Sequence, residues 1–324
     1  MLKRIAVALG ALAWSAALLA QSPYPGKPIT FVVPYPAGGG TDVVARALAD
    51  EMGRRMGQPI VVDNKPGAAG ILGTMAVVKA PADGHTVLIS LVQSALTNQF
   101  LFKKLPYDTR RDLAFVSEIA TGPLLLAVNA ANVPARNLTE LKAWAAKNRG
   151  KVNYGSWGTG SFPHLAGSLI SSQGELDMTH VAYKGEAPMV QDLVGGQLSF
   201  VIGSPLTLKP FIDDGRVRPI AVTGQTRAAT LAQTPTFAES GDKDPAYSLL
   251  GWIGMLVPKG TPAPVVARLE QEAREAVNST ALRARFQALG MVPIGSTAEK
   301  FQRDFDTDLP VWEKLVKVSG AQLD

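Results

Sequence analysis

The feature that most constrains the fold is an alternation between short apolar segments rich in β-branched residues and longer amphipathic segments. Residues 29–33 form an apolar, β-branched run, and residues 41–56 then carry apolar side chains on one helical face. The same order recurs at residues 124–128 and 137–149. Because strands that alternate with helices pair in parallel and are covered on both faces, this pattern predicts an α/β fold with parallel sheets.

The same patterns predict the remaining elements. The predicted strands are residues 29–33, 60–62, 86–90, 124–128, 152–155, 198–202, 217–222 and 249–257. The predicted helices are residues 41–56, 71–79, 137–149, 163–172, 262–278, 280–289 and 297–318.

The length of the chain indicates two domains. At 324 residues the chain is long for one compact unit, and it has weak breaks near residues 121–123 and 241–247 instead of a single linker. Two breaks indicate a chain that leaves the first lobe, builds the second and returns. We therefore predict a first lobe from residues 23–122 and 248–324, a second lobe from residues 123–247, two hinge crossings, and a ligand cleft between the lobes.

The N-terminal residues have the layout of a secretory signal peptide. Lys3 and Arg4 form a basic start, residues 5–20 carry no charge, and the prolines of residues 22–25 prevent a helix from continuing. The apolar stretch is shorter than the about 20 residues of a membrane-spanning helix, which favours a signal peptide over an uncleaved anchor. We predict a signal peptide at residues 1–22, cleavage after Ala20, and a periplasmic protein.

Composition excludes several classes of protein. The net charge is +5, and basic and aromatic residues are not interleaved, so nucleic acid is not an expected partner. The chain has no cysteine, which removes disulfides, thiol nucleophiles and zinc–thiolate sites. His85, His164 and His180 are not spaced as a helical metal-binding pair, so we predict neither a metal site nor a cofactor.

The strongest local signal is a first glycine-rich loop, residues 34–42, between a predicted strand and a predicted helix. Its glycines allow a ligand to approach the backbone closely, and the helix behind them offers free N–H groups and the positive end of a dipole. The loop therefore predicts an anion site, with a plain tight connection as the alternative, and with Thr41 or Asp42 as the N-cap. The candidate residues are Tyr35, Ala37, Gly38, Gly39, Gly40, Thr41 and Asp42.

A second glycine-rich loop, residues 154–161, has the same setting in the other lobe and adds three hydroxyl groups. Two such loops that face one cleft could hold a dianion from both sides. His164 opens the helix behind this loop, where it could cap the loop or donate to a ligand oxygen. The candidate residues are Ser156, Trp157, Thr159, Gly160, Ser161 and His164.

Motifs of several enzyme classes are absent from the sequence. The chain has no Gly-x-Ser-x-Gly elbow, no P-loop and no complete dinucleotide fingerprint. The enzymatic alternative is an acyl-transfer enzyme that uses Ser156 or Ser161 with His164, but no acid that would orient the histidine is evident. A binding protein without catalytic activity fits the sequence better.

The ordered motifs of the chain resemble the Bug family, the substrate-binding proteins of tripartite tricarboxylate transport systems. The resemblance extends from residue 24 almost to the C-terminus. It is carried by the first glycine-rich loop, by Asp63-Asn64-Lys65-Pro66-Gly67-Ala68-Ala69-Gly70, by His180-Val181-Ala182-Tyr183-Lys184-Gly185 and by Asp192-Leu193-Val194-Gly195-Gly196-Gln197.

The resemblance implies a type II periplasmic-binding-protein fold with two α/β lobes that close on a small carboxylate. It implies that backbone amides and ordered water from the two loops hold the ligand, with Ser94 and Ser204 as further candidates at strand ends. It also implies a monomer whose partners are the membrane subunits of a tripartite tricarboxylate transporter. The alternative partner is the periplasmic domain of a sensor.

Two positions depart from the family pattern. Trp157 stands where relatives commonly have a small residue, so it either stacks on an aromatic carboxylate or packs on the outside of the loop. Gly203 and Ser204 replace an acidic residue that is common in the family, which argues against an amino-acid ligand.

Overall fold

The protein is described by a computed structural model that covers residues 24–324, and the predicted signal peptide at residues 1–22 lies outside the described residues. The strands are β1 (Ile29–Val33), β2 (Ile60–Asn64), β3 (Thr86–Leu91), β4 (Leu113–Gly122), β5 (Leu125–Asn129), β6 (Asn153–Ser156), β7 (Thr179–Ala182), β8 (Phe200–Gly203), β9 (Val217–Val222), β10 (Gly251–Pro258) and β11 (Val292–Pro293).

The α-helices are α1 (Gly40–Met56), α2 (Ile71–Val78), α3 (Asn98–Leu101), α4 (Thr109–Asp112), α5 (Leu138–Lys147), α6 (Phe162–Gln173), α7 (Glu186–Val194), α8 (Pro205–Asp213), α9 (Ala263–Asn278), α10 (Thr280–Ala288) and α11 (Ala298–Ser319). A π-helical turn, Gln93–Thr97, precedes α3. No helix among residues 24–324 is both long and apolar enough to span a bilayer.

The strands form two sheets, which confirms the prediction of two α/β lobes. The first sheet has the order β11-β4-β10-β3-β1-β2, and the second has the order β7-β6-β8-β5-β9. The ranges given above for the two lobes stay a prediction.

The prediction of parallel sheets is wrong for two of the predicted strands, and the short β11 is also antiparallel to its neighbour β4. β10 is antiparallel to both of its neighbours in the first sheet, and β5 is antiparallel to both of its neighbours in the second. The physical reason lies in the crossings between the lobes. Each of these strands arrives from the other lobe at the edge where the parallel strands end, so it has to run in the opposite direction.

The longest helix, α11, packs against both lobes. Near its start, Phe301 and Phe305 make edge-to-face contacts with Phe115 of β4, with ring centroids 5.1 Å apart. Further along, the fully buried Trp312 meets Phe162 at the start of α6, with ring centroids 5.5 Å apart. One hydrophobic core consequently runs without a break through residues of both lobes.

A buried acid lies under α11. Glu118 of β4 is 8% exposed, and burial raises the pKa of its carboxyl group to about 7. Lys300 on α11 opposes this rise, whereas Asp304 and Asp308 on the same helix add to it. The folded protein therefore favours the protonated form of Glu118.

We expect Glu118→Gln to stabilise the protein at pH 8 and to leave its stability at pH 4.5 nearly unchanged. A carboxyl group whose pKa is raised in the folded state contributes its full stability below its ordinary value of 4.5 and loses it as the pH rises through 7. The ionised wild type should lose about 3 kcal/mol at pH 8, at about 1.4 kcal/mol for each pKa unit, and glutamine should recover most of this.

Urea unfolding at pH 4.5, 6 and 8 measures this effect. The control is Glu299→Gln on the exposed surface of α11, which should change stability little at any pH. A gain for Glu118→Gln that is equal at all three pH values would show that ionisation is not its cause.

Candidate functional site

The two sheets present their carboxyl edges to each other, because both crossings leave and enter at these edges. In the first sheet β1, β2 and β3 end where β4 ends and β10 begins. In the second sheet β6, β7 and β8 end where β5 begins and β9 ends. The cleft between the lobes is thus lined by loops that follow parallel strands, which is where ligands of α/β proteins bind.

The first glycine-rich loop lies at this edge, with its backbone exposed from Pro36 to Gly40. Gly38 has a φ of 82°, a conformation that favours glycine. The helix α1 begins at Gly40, and its first N–H groups have no partner within the helix, as in any helix. The loop therefore offers backbone donors and the positive end of a 17-residue helix to the cleft.

The predicted N-cap of α1 is wrong. The N-cap is Gly39, which has an extended backbone and no capping side chain, so the helix starts before Thr41. Asp42 lies inside the first turn instead, where its carboxylate accepts a hydrogen bond from the Gly38 N–H at 2.8 Å. A glycine can take this position because Asp42 reaches back and fixes the loop, as the acidic residue of a capping box does.

Asp42 is held as an ionised structural group. Its carboxylate also accepts hydrogen bonds from Arg46 Nε at 3.0 Å and from Asn64 Nδ2 at 3.0 Å. Burial raises the pKa of Asp42, but hydrogen bonds from Arg46, Gly38 and Asn64 outweigh it and hold this pKa below its usual value. A buried anion with these partners shapes the loop and is unsuited to contact an anionic ligand.

Tyr35 and Ser94 connect the first loop to the buried π-helical turn. The Tyr35 hydroxyl donates to Ser94 Oγ at 3.1 Å, and Ser94 Oγ also pairs with Ser90. The Tyr107 hydroxyl donates to the carbonyl oxygen of Ser94. Ser94 is fully buried in the π-helical turn, so its hydroxyl group serves the packing beneath the loop.

The second glycine-rich loop is closed by its own hydroxyl groups. Ser156 Oγ accepts from the Gly158 N–H at 3.1 Å, and Ser161 Oγ donates to the Gly158 carbonyl oxygen at 2.6 Å. Both serines are buried, whereas Trp157 and Thr159 are half-buried. Ser161 is the N-cap residue of α6, so this helix also begins at the cleft.

Two histidines hold the second loop in place. His164 Nδ1 accepts from the Gly160 N–H at 3.1 Å, and His180 Nε2 lies 2.7 Å from Ser156 Oγ. The imidazole rings stack with centroids 3.9 Å apart. Burial lowers the pKa of both histidines to about 4, and His180 adds to this effect on His164. Both rings are therefore neutral near pH 7, which lets His164 accept a hydrogen bond.

The structure does not form the serine–histidine pair that the acyl-transfer alternative requires. Ser161 Oγ is bound to the Gly158 carbonyl oxygen, and His164 Nδ1 is bound to the Gly160 N–H, so these two side chains do not form the expected pair. Ser156 pairs with His180 instead. Among residues 24–324 no carboxylate forms a hydrogen bond with His164 or His180, and no cluster of three or more metal-ligating side chains occurs.

Trp157 packs on the second lobe itself. Its half-buried side chain lies against the hydrophobic core of that lobe. This arrangement favours the interpretation that Trp157 supports the loop over the one in which it stacks on a ligand.

The two lobes touch at the second loop. Gly160 has a φ of 79°, and a methyl group on its Cα would overlap the side chain of Leu101 in α3. Leu101 lies in the core that the two lobes share, together with Phe162 and Trp312. The conformation of the second loop is therefore tied to the packing of the first lobe.

Ser204, the remaining candidate for ligand binding, follows β8 and is the N-cap residue of α8. Its hydroxyl and its N–H both bind the Glu186 carboxylate, which sequence analysis did not single out. His180, Leu101 and Glu186 all join the site from segments far from the glycine-rich loops, so no local pattern marks them.

A family model and a sequence relative both match nearly the whole chain. A family model described as "Tripartite tricarboxylate transporter family receptor" matches residues 44–320. Protein BugT of Bordetella pertussis is 33% identical over 317 residues, which cover 97% of this chain and 95% of BugT.

Several solved structures, including the following two, are similar over nearly the whole chain. Rpa4515 of R. palustris with adipate matches with a TM-score of 0.83 and 32% identity, covering 93% of this chain and 100% of that one. The periplasmic binding protein BugD matches with a TM-score of 0.79 and 32% identity, covering 92% of this chain and 99% of BugD. These likenesses confirm the predicted periplasmic-binding-protein fold.

Proposed function

Because the chain belongs to the tripartite tricarboxylate transporter receptor family, we propose that it captures a small carboxylate in the periplasm for a transporter of the tripartite tricarboxylate type. The observation that carries this proposal is the pair of glycine-rich strand-to-helix loops at facing carboxyl edges. The adipate bound by the similar protein Rpa4515 supports a carboxylate as the ligand.

Binding uses backbone groups of both lobes. The exposed N–H groups at the start of α1 donate to one end of the ligand, and the positive end of the helix dipole stabilises its negative charge. The second loop contributes backbone N–H groups and the Thr159 hydroxyl from the other lobe. A ligand that is held by both lobes favours the closed arrangement, because only that arrangement provides both sets of contacts.

The proposed role involves no catalysis. The hydroxyl groups of Ser156 and Ser161 are committed to bonds that close the second loop, and His164 is an acceptor for a backbone N–H. These groups fix the shape of a binding surface, whereas an acyl-transfer enzyme needs a serine that is free to attack and paired with an oriented base.

A thermal-shift screen of residues 21–324 against mono-, di- and tricarboxylates, aromatic acids and amino acids tests the proposal. A ligand at a hundredfold excess over its Kd should stabilise the protein by about 2.7 kcal/mol. We expect a rise in Tm with one class of carboxylate. No rise with any acid would contradict carboxylate capture.

A matched pair of variants locates the site. Gly40 has open space around its Cα and no positive φ, so Gly40→Leu should fold normally and block the mouth of the first loop. Ala281→Leu adds an aliphatic side chain to the exposed surface of α10, outside both glycine-rich loops. The rise in Tm should vanish in Gly40→Leu and persist in Ala281→Leu.

The membrane partner is a separate part of the proposal. Ligand-dependent co-purification with transporter membrane subunits would support delivery for transport. Co-purification with the periplasmic domain of a sensor instead would assign the same fold and ligand to signalling.

A further inference from the structure

Glu186 places a carboxylate where a side chain of residue 203 would lie. Gly203 ends β8 at the cleft edge, and a Cβ atom on it would lie 2.9 Å from Glu186 Oε1. Glu186 itself is the first residue of α7, which follows β7 at the same edge. A carboxylate from a neighbouring strand-to-helix connection therefore takes the space that a side chain at position 203 would need.

Three donors at the start of α8 fix this carboxylate. Glu186 Oε1 accepts from the Ser204 N–H and from Thr207 Oγ1, the latter at 2.8 Å. Glu186 Oε2 accepts from Ser204 Oγ at 3.1 Å. The positive end of α8 is thus occupied by the protein's own anion, which would repel a ligand anion at this helix end.

The charge of this carboxylate is not balanced by a cation. Within residues 24–324 no lysine or arginine forms an ion pair with Glu186. The residue is half-buried at the edge of the second sheet that faces the first lobe. A carboxylate has about four acceptor positions, and three are in use, so Oε2 retains one for a further donor.

We infer that Glu186 determines the specificity of the cleft by excluding a ligand carboxylate from the β8 side and accepting a hydrogen bond from a hydroxyl or ammonium group there. The inference rests on the proposed function. A carboxylate of the ligand binds at the glycine-rich loops, and a second one beside Glu186 meets a like charge at short range. A hydrogen-bond donor in the same place satisfies the free acceptor position instead.

Isothermal titration with two sets of three acids, each set of equal chain length, tests this inference. The probes are succinate against 4-hydroxybutyrate and 4-aminobutyrate, and adipate against 6-hydroxyhexanoate and 6-aminohexanoate. The wild type should bind the donor-bearing acids more tightly than the dicarboxylates. Glu186→Gln, which keeps the shape of the side chain and removes its charge, should raise the affinity for the dicarboxylate relative to the amino acid at least tenfold.

Two further variants separate specificity from a purely structural role. Asp213→Asn removes one negative charge from the exposed end of α8 and should leave the preference unchanged. Glu186→Ala combined with Gly203→Asp moves the carboxylate to the neighbouring backbone position and should restore the wild-type preference. A structural role would not be rescued in this way.

The outcomes distinguish this inference from the proposal on which it rests. If no acid binds the wild type, the proposed function fails and the inference fails with it. If carboxylates bind and Glu186→Gln has the wild-type preference, only the inference is overturned.

Discussion

Replacing Trp312 by alanine is expected to lower the free energy of unfolding by about 4 kcal/mol, because it empties a fully buried position in the core that the two lobes share. The Trp312 ring packs on Phe162, which directly follows Ser161 of the second loop. Loss of this contact should also weaken ligand binding, by roughly tenfold or about 1.4 kcal/mol. Urea unfolding and titration with the carboxylate identified by the thermal-shift screen measure the two effects.

The matched control is Trp312→Phe. Trp312 Nε1 is buried without a hydrogen-bond partner in the part of the chain that the structure describes, so phenylalanine gives up no hydrogen bond. This variant retains an aromatic ring against Phe162 and should cost about 1 kcal/mol. An equal loss for both variants would show that the aromatic contact with α6 is not what stabilises this region.

The second large effect is expected at Gly160. Alanine at this position has to adopt a φ of 79° and displaces the side chain of Leu101, so Gly160→Ala should cost about 3 kcal/mol of stability. Ligand affinity should fall as well, because the second loop moves away from its position against α3. Thermal unfolding followed by ligand titration measures both.

Gly158→Ala separates the two causes. Gly158 has a φ of 138° and open space around its Cα, so alanine there meets the backbone cost alone, about 1 to 2 kcal/mol. If Gly158→Ala destabilises the protein as much as Gly160→Ala, the overlap with the Leu101 side chain adds nothing to the cost at Gly160.

Local patterns in the sequence predict the strands and helices whose apolar residues follow a regular spacing. The predicted ranges 29–33 and 217–222 agree with β1 and β9 residue for residue, and most predicted helices end within one or two residues of the observed ones. These segments have a clear apolar face and are bounded by proline or glycine, so propensity and burial point to the same structure.

Segments in which burial overrides the local pattern were missed. The prediction omitted β4, whose polar residues Ser117 and Glu118 are buried. Ser117 donates to the carbonyl oxygen of Ser296, and Glu118 lies under α11, so both are covered by a segment almost two hundred residues later in the chain. It also omitted α7 and α8, which contain Pro188 and Pro205 in their first turns. Proline disfavours a helix interior but fits the first turn, and α8 also accommodates Pro210 in its interior, so the prolines made both segments resemble loops.

The candidate site likewise contains residues that a local pattern predicts and residues that only tertiary contacts bring in. The two glycine-rich loops were found because each combines glycines with a strand before it and a helix after it. His180 and Glu186 were missed because they act through contacts between β7, α7 and distant loops. The direction of each strand relative to its neighbours could not be predicted either, because an apolar run has the same pattern in parallel and antiparallel pairing.

The core shared by the two lobes has a consequence for how this chain can be divided. Phe115, Phe162 and Trp312 come from three distant parts of the sequence and pack in one continuous interior. An excised second lobe would expose Phe162 and its neighbours to water, and the remaining first lobe would lose the surface that covers Trp312. The two sheets are therefore separate in topology but share one interior, so we expect the chain to unfold in a single cooperative transition.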